Sequence, residues 1–119
     1  MAHALSKSLG EGQNVNQPSA GSTKPFTIAI GSQKGGVAKT TTTLSLGACL
    51  SSGLGAAAQT VLLVDLDPQA NLTMALGMNP GSIRRMIGDA LLEQSSLVSI
   101  SRESAIANLD LVPANQGLL

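Results

Sequence analysis

Aromatic side chains are nearly missing from this chain, which has no tryptophan, no tyrosine and a single phenylalanine, Phe26. Binding of single-stranded nucleic acid by stacking bases on rings needs several of them, so that mode is excluded for these residues. Cysteine occurs once, at Cys49. No internal disulfide can form, which fits a reducing cytoplasm, and Cys49 reads as a small core residue rather than a nucleophile. An excess of either charge is also lacking: seven Lys and Arg balance seven Asp and Glu. No net field recruits a polyanion or a membrane, and the local pair Arg84-Arg85 reads as a solvated helix face. No apolar run approaches the ~20 residues of a membrane helix, and the N-terminus has no signal-peptide core. With 119 residues there is room for one domain, of a size that buries only about two-thirds of its unfolded surface.

Residues 1–24 are rich in Gly, Ser, Asn, Gln and Ala and show neither helical nor strand periodicity. We expect a disordered leader there, with His3 an exposed bystander, and an ordered domain over residues 25–119. Pro25 marks the edge. Phe26-Thr27-Ile28-Ala29-Ile30 is short, β-branched and apolar, which predicts a parallel strand covered on both faces.

That strand delivers Gly31-Ser32-Gln33-Lys34-Gly35-Gly36-Val37-Ala38-Lys39-Thr40-Thr41. Adjacent glycines let successive backbone N–H groups turn inward, and the threonine run opens a helix whose positive end faces the same spot. This is a cradle for phosphate. Lys39 can set a charge against the outer phosphates, and the Thr40 hydroxyl is a hard oxygen suited to a Mg²⁺ ion bridging them.

Beyond the loop, Leu46, Leu50 and Leu54 recur at four-residue spacing, with Leu44, Ala48 and Cys49 around them, predicting a mostly buried helix that ends near Gly53. Val61-Leu62-Leu63-Val64 predicts a second buried parallel strand, ending in Asp65-Leu66-Asp67-Pro68-Gln69. In an open α/β sheet, ligands sit at the carboxyl ends of strands, so two carboxylates are expected beside the loop. Pro68 turns the chain into a short helix over Leu72 to Leu76. Ser82 is expected to cap a further helix, with Ile83, Met86, Ile87, Ala90 and Leu91 as its apolar face. A short segment at Leu97 to Ile100 and a clearer strand at Leu109 to Val112 complete the order, and Pro113 stops the latter.

The loop departs from G-x-x-x-x-G-K-[ST], because Gln33 and Ala38 stand where that pattern has glycine. It resembles instead the deviant Walker A loop, K-G-G-x-x-K-T, of the ParA/MinD family of P-loop ATPases. Members usually carry glycine at the position of Ala38, where a left-handed conformation would cost a residue with a Cβ roughly 1–2 kcal/mol. The Asp-Leu-Asp-Pro-Gln segment and the later Leu-Asp-Leu-Val-Pro-Ala-Asn resemble ParA more than MinD, nitrogenase iron protein or arsenical-pump ATPases.

The resemblance implies an α/β fold, a P-loop NTPase-like three-layer sandwich with a parallel sheet, present here as its N-terminal half. It implies ATP and Mg²⁺ as cofactors. Lys39 would hold the β- and γ-phosphates. Loop residues Gly35, Gly36, Val37, Ala38 and Lys39, with Thr40 and Thr41, would bind phosphate oxygens; Thr40 and, through water, Asp65 would hold the metal; and Asp67 would orient or deprotonate the attacking water. Lys34 would reach across an ATP-dependent homodimer to the partner's nucleotide. The implied function is partition of plasmid or chromosomal DNA with a ParB-type partner, nucleoid-associated in the cytoplasm and without membrane attachment. ParA proteins are about twice this length, and the non-specific DNA-binding surface would belong to the C-terminal part not found here. A MinD-like positioning ATPase and a non-catalytic nucleotide-binding remnant stay open as alternatives.

Overall fold

The computed structural model describes residues 2–7 and 24–114. At its centre are two strands that carry the motifs. β2 (Phe26–Ile30) leads into the glycine-rich loop, and β3 (Thr60–Asp65) leads into the acidic turn. Between them along the chain runs helix α1 (Lys39–Ser52), which ends where Gly53 N–H bonds back to Leu50 O.

The strand between β2 and β3 in space was not expected. Ala2–Lys7, in the stretch read as a disordered leader, forms β1. It pairs antiparallel with β2 on one side and with β3 on the other. Its residue types are poor strand formers, so the reason is tertiary. β2 and β3 run in the same direction one strand-width apart, and without β1 the facing N–H and C=O groups of both would be unpaired. The rest of the expected leader, residues 8–23, lies outside the described residues.

The sheet is therefore mixed rather than wholly parallel. Its order is β2-β1-β3-β5-β4, where β5 is Leu109–Val112 and β4 is Arg102–Glu103. β3 and β5 pair in parallel, as expected, while β4 pairs antiparallel with β5. Among the described strands β2 lies at an edge, and Phe26 is 51% exposed, so this strand is not covered on both faces.

Alternation along β3 and β5 sends side chains into two cores, one on each face of the sheet. Val61, Leu63, Leu109 and Leu111 pack with Leu72 on one side, joined by Leu44 and Leu50 of α1. Val64 and Val112 pack with Ile87 and Ile100 on the other. These are the layers of a three-layer sandwich. Each fully buried Leu or Val here contributes about 1.5–3 kcal/mol.

α1 makes its closest approach to the sheet through small residues, flanked by Leu44 and Leu50, rather than through the whole leucine row that its sequence advertises. Its buried positions are Thr43, Gly47 and Ser51. Thr43 Oγ1 donates to Lys39 O at 2.8 Å and Ser51 Oγ to Ala48 O at 3.1 Å, so both hydroxyls are satisfied within the helix. A Cβ on Gly47 would stand 2.9 Å from Leu63 Cδ2 and 3.1 Å from Leu109 Cδ1. Cys49 is exposed and Leu54 is 78% exposed, so neither is a core residue.

Helix α2 (Asn71–Ala75) follows the acidic turn, close to the range expected. The helix expected from Ser82 starts later: Pro80–Ser82 is a single 3₁₀ turn, and α3 spans Ile87–Glu93. Asp89 explains the shift, because its Oδ2 accepts from Met86 N–H at 2.7 Å and caps the helix there. Leu97–Ile100 forms one helical turn, α4, started by Ser96 Oγ accepting from Val98 N–H at 3.3 Å.

Candidate functional site

Register places the two motifs at one end of the sheet. Ala2 of β1 stands level with Ile30, the last residue of β2, and also with Asp65, the last residue of β3. Glycine-rich loop and acidic turn therefore leave the sheet side by side at its carboxyl edge, where open α/β sheets bind ligands.

In the loop the chain bends through Gly36, at φ 72°, and enters α1 through Ala38, also left-handed at φ 57° and ψ 29°. For glycine that conformation is free, whereas alanine pays about 1–2 kcal/mol. Strain of this kind persists where the surrounding geometry demands it, and it is frequent at ligand sites. Lys39, the first residue of α1, points its ammonium back over the loop, where Nζ donates to Lys34 O at 3.2 Å. Lys34 N–H is bonded to Ser32 Oγ at 3.2 Å, and residue 34 itself is exposed.

The acidic turn is built by local rules. Asp67 O accepts from Ala70 N–H at 2.8 Å, with Pro68 at the position of a β-turn that favours a fixed φ. Asp67 Oδ1 accepts from Gln69 N–H at 3.0 Å, and Oδ2 accepts from Asn71 Nδ2 at 3.0 Å. Asp65 is fully buried and differently engaged. Its Oδ1 accepts from Asp67 N–H at 3.0 Å; its Oδ2 accepts from Thr73 N–H at 2.9 Å and from Thr73 Oγ1 at 2.7 Å. Thr73 Oγ1 in turn accepts from Ala114 N–H at 3.1 Å, tying the turn to the end of β5.

Between loop and turn lies an open cavity of about 530 Å³, within the range of small-ligand sites. Ser32 and the loop from Gly35 to Thr40 line one side; Asp67, Gln69 and Asn71 line the other. Of the residues singled out in the sequence, Gly35, Gly36, Val37, Ala38, Lys39, Thr40 and Asp67 meet here. Lys34, Thr41 and Asp65 are not part of this lining. Sequence reasoning missed Ser32, Gln69, Asn71 and the buried Thr73. Only Asn71 carried a usable signal, since an Asn four residues after an Asp across a proline turn can reach back to it.

This donor set suits a magnesium-bound polyphosphate. Glycine-rich loop residues and one ammonium line one wall of an open space and a carboxylate lines the other. Among the described residues no group of three or more His, Cys, Asp or Glu forms a metal site of its own, and no helix is long and apolar enough to cross a membrane.

The chain is similar to known proteins. The family described as "AAA domain" matches residues 26–119. The sporulation initiation inhibitor protein Soj of Bacillus subtilis is 44% identical over 87 residues, which cover 73% of this chain and 33% of that protein. The chromosome partitioning protein ParA of Caulobacter vibrioides is 37% identical over 91 residues, covering 76% of this chain and 33% of the relative. In structure, the chain is similar to cobyrinic acid a,c-diamide synthase from Mycobacterium smegmatis, solved with a bound ATP analogue and magnesium. The TM-score is 0.61 at 36% identity, over 72% of this chain and 33% of that one. The same protein has been solved with ADP and magnesium, with a TM-score of 0.61 at 37% identity over the same shares of the two chains. The chain spans about a third of the length of the curated relatives it matches. A loop of this wording on β2, an acidic turn beside it on β3 and a family match over both together place the chain in the AAA-domain family, as a portion of a ParA-type P-loop ATPase.

Proposed function

We propose that this chain is the nucleotide-binding part of an ATP-hydrolysing partition protein that segregates plasmid or chromosomal DNA. The observation that carries it is the shared cavity, with the loop amides and Lys39 on one wall and the Asp67 carboxylate on the other. In this reading the amides of Gly36 to Lys39 hold phosphate oxygens, and the Lys39 ammonium exchanges Lys34 O for the β- and γ-phosphates. Thr40 would hold the magnesium; Asp65, fully buried outside the cavity lining with its oxygens bonded to Asp67 and Thr73, would support it only by holding the acidic turn in place. Magnesium held there would supply neutralisation of phosphate charge. Asp67 orients the attacking water and accepts its proton.

Lys34 is exposed and outside the cavity lining, as a residue that serves the nucleotide of a second copy has to be. A cation supplied in trans contributes on the order of 10³–10⁵ in rate where an arginine does so. The working protein is then an ATP-dependent homodimer in the cytoplasm, associated with the nucleoid and stimulated by a ParB-type partner. Two titrations test this. Lys39→Ala should abolish measurable MgATP binding, while Lys34→Ala should keep binding and lose dimer-dependent phosphate release. Equal loss of binding and turnover in Lys34→Ala would contradict the role in trans, and unchanged MgATP affinity in Lys39→Ala would contradict the site.

A further inference from the structure

The Asp67 carboxylate is held at two points by its own turn: Gln69 N–H on Oδ1 and the Asn71 side-chain amide on Oδ2, each at 3.0 Å. We propose that Asn71 is a positioning residue for Asp67, fixing the plane of that carboxylate toward the phosphate loop. This rests on the reading of Asp67 given above.

Three observations carry it. Asn71 lines the same cavity as Asp67 and the loop, so its amide acts at the site and not behind it. One backbone bond alone leaves a carboxylate free to swing about it, whereas a second donor on the other oxygen fixes the plane. An ionised carboxylate offers about four acceptor sites, and the two bonds leave one on each oxygen for water. Asparagine suits this work because its amide donates without adding charge or giving up a proton. Finally, the backbone is bent to bring Asn71 there. Ala70 is fully buried and left-handed at φ 55° and ψ 33°, and this kink starts α2 at Asn71 with its side chain on Asp67. A strained alanine held in place by its surroundings marks a geometry that the turn is built to keep.

The test uses the full chain with Asn71→Ala, Asn71→Asp, Asp67→Ala and the double variant Asn71→Ala/Asp67→Ala. MgATP titration, phosphate release and the ¹⁵N-resolved side-chain amide of Asn71 are measured. Misplacing a reacting group by ~1 Å loses about 10²-fold in rate, so Asn71→Ala should lower turnover by about 10–100-fold with MgATP affinity kept within about twofold. Asn71→Asp should lose more, because it sets a second carboxylate against Asp67. In the Asp67→Ala background, Asn71→Ala should change nothing further. The Asn71 amide pair should shift on Asp67→Ala, a readout that needs no turnover. Full turnover in Asn71→Ala, an equal loss in both backgrounds, or an amide pair indifferent to Asp67→Ala would overturn the proposal. Failure of the native chain to bind MgATP would instead remove the nucleotide reading, and the amide pair alone would then decide whether Asn71 holds Asp67.

Discussion

Thr73→Val changes little in shape and removes one hydroxyl from a fully buried polar cluster. That hydroxyl donates to the buried Asp65 carboxylate at 2.7 Å and accepts from Ala114 N–H at 3.1 Å. A hydrogen bond to a charged partner contributes about 1.5–3 kcal/mol, and a buried N–H left without an acceptor costs about 1–3 kcal/mol. The two losses share one site and Asp65 retains two other donors, so the sum is not additive. A destabilisation of about 2–4 kcal/mol is expected. Native domains have only about 5–15 kcal/mol in hand, so urea denaturation should show a clear fall in midpoint. Thr73→Ser keeps the hydroxyl and should recover most of the loss. Because Asp65 also holds the Asp67 N–H, the valine variant should loosen the acidic turn and weaken phosphate release beyond its effect on stability. A change below about 0.5 kcal/mol, or a serine variant no better than valine, would refute the claim that this cluster supports the site.

Ala38→Gly relieves a left-handed alanine and adds unfolded-state entropy, so it should raise stability by at most about 1 kcal/mol in thermal melts, with MgATP affinity kept or improved. Gly47→Ala forces a methyl group against Leu63 and Leu109, both fully buried, and should destabilise by about 1–3 kcal/mol in urea despite its better helix propensity. Removal of residues 2–7 takes away the strand shared by β2 and β3, so circular dichroism should show a lost or broadened thermal transition and light scattering should show association through the freed edges; an unchanged melt would contradict the placement of β1.

The site was legible because its parts are local. A glycine pair before a lysine and threonine, and an Asp-x-Asp-Pro turn after an apolar run, follow from backbone chemistry within a few residues, and both lie where their strands were expected to end. What could not be read depends on distant partners. Ala2–Lys7 becomes a strand only because β2 and β3 stand one strand apart. α1 buries Thr43, Gly47 and Ser51 most deeply because the helix approaches Leu63 and Leu109 closely at Gly47, which leaves Leu44 and Leu50 at the flanks of that contact and Cys49 exposed. Asp89 moves the start of α3 past Ser82 by capping Met86 N–H. Asp65 and Asp67 look equivalent in sequence, yet one is buried in a structural cluster and the other faces the cavity. Burial and hydrogen bonding separate them.

The convergence of loop and acidic turn on one magnesium-bound triphosphate is tested most directly by titrating the ¹⁵N-labelled chain with MgATP and following its backbone amides. Gly36 to Thr40 and Gln69 to Asn71 should shift together, with one dissociation constant. Shifts confined to either group, or two unrelated constants, would contradict the account.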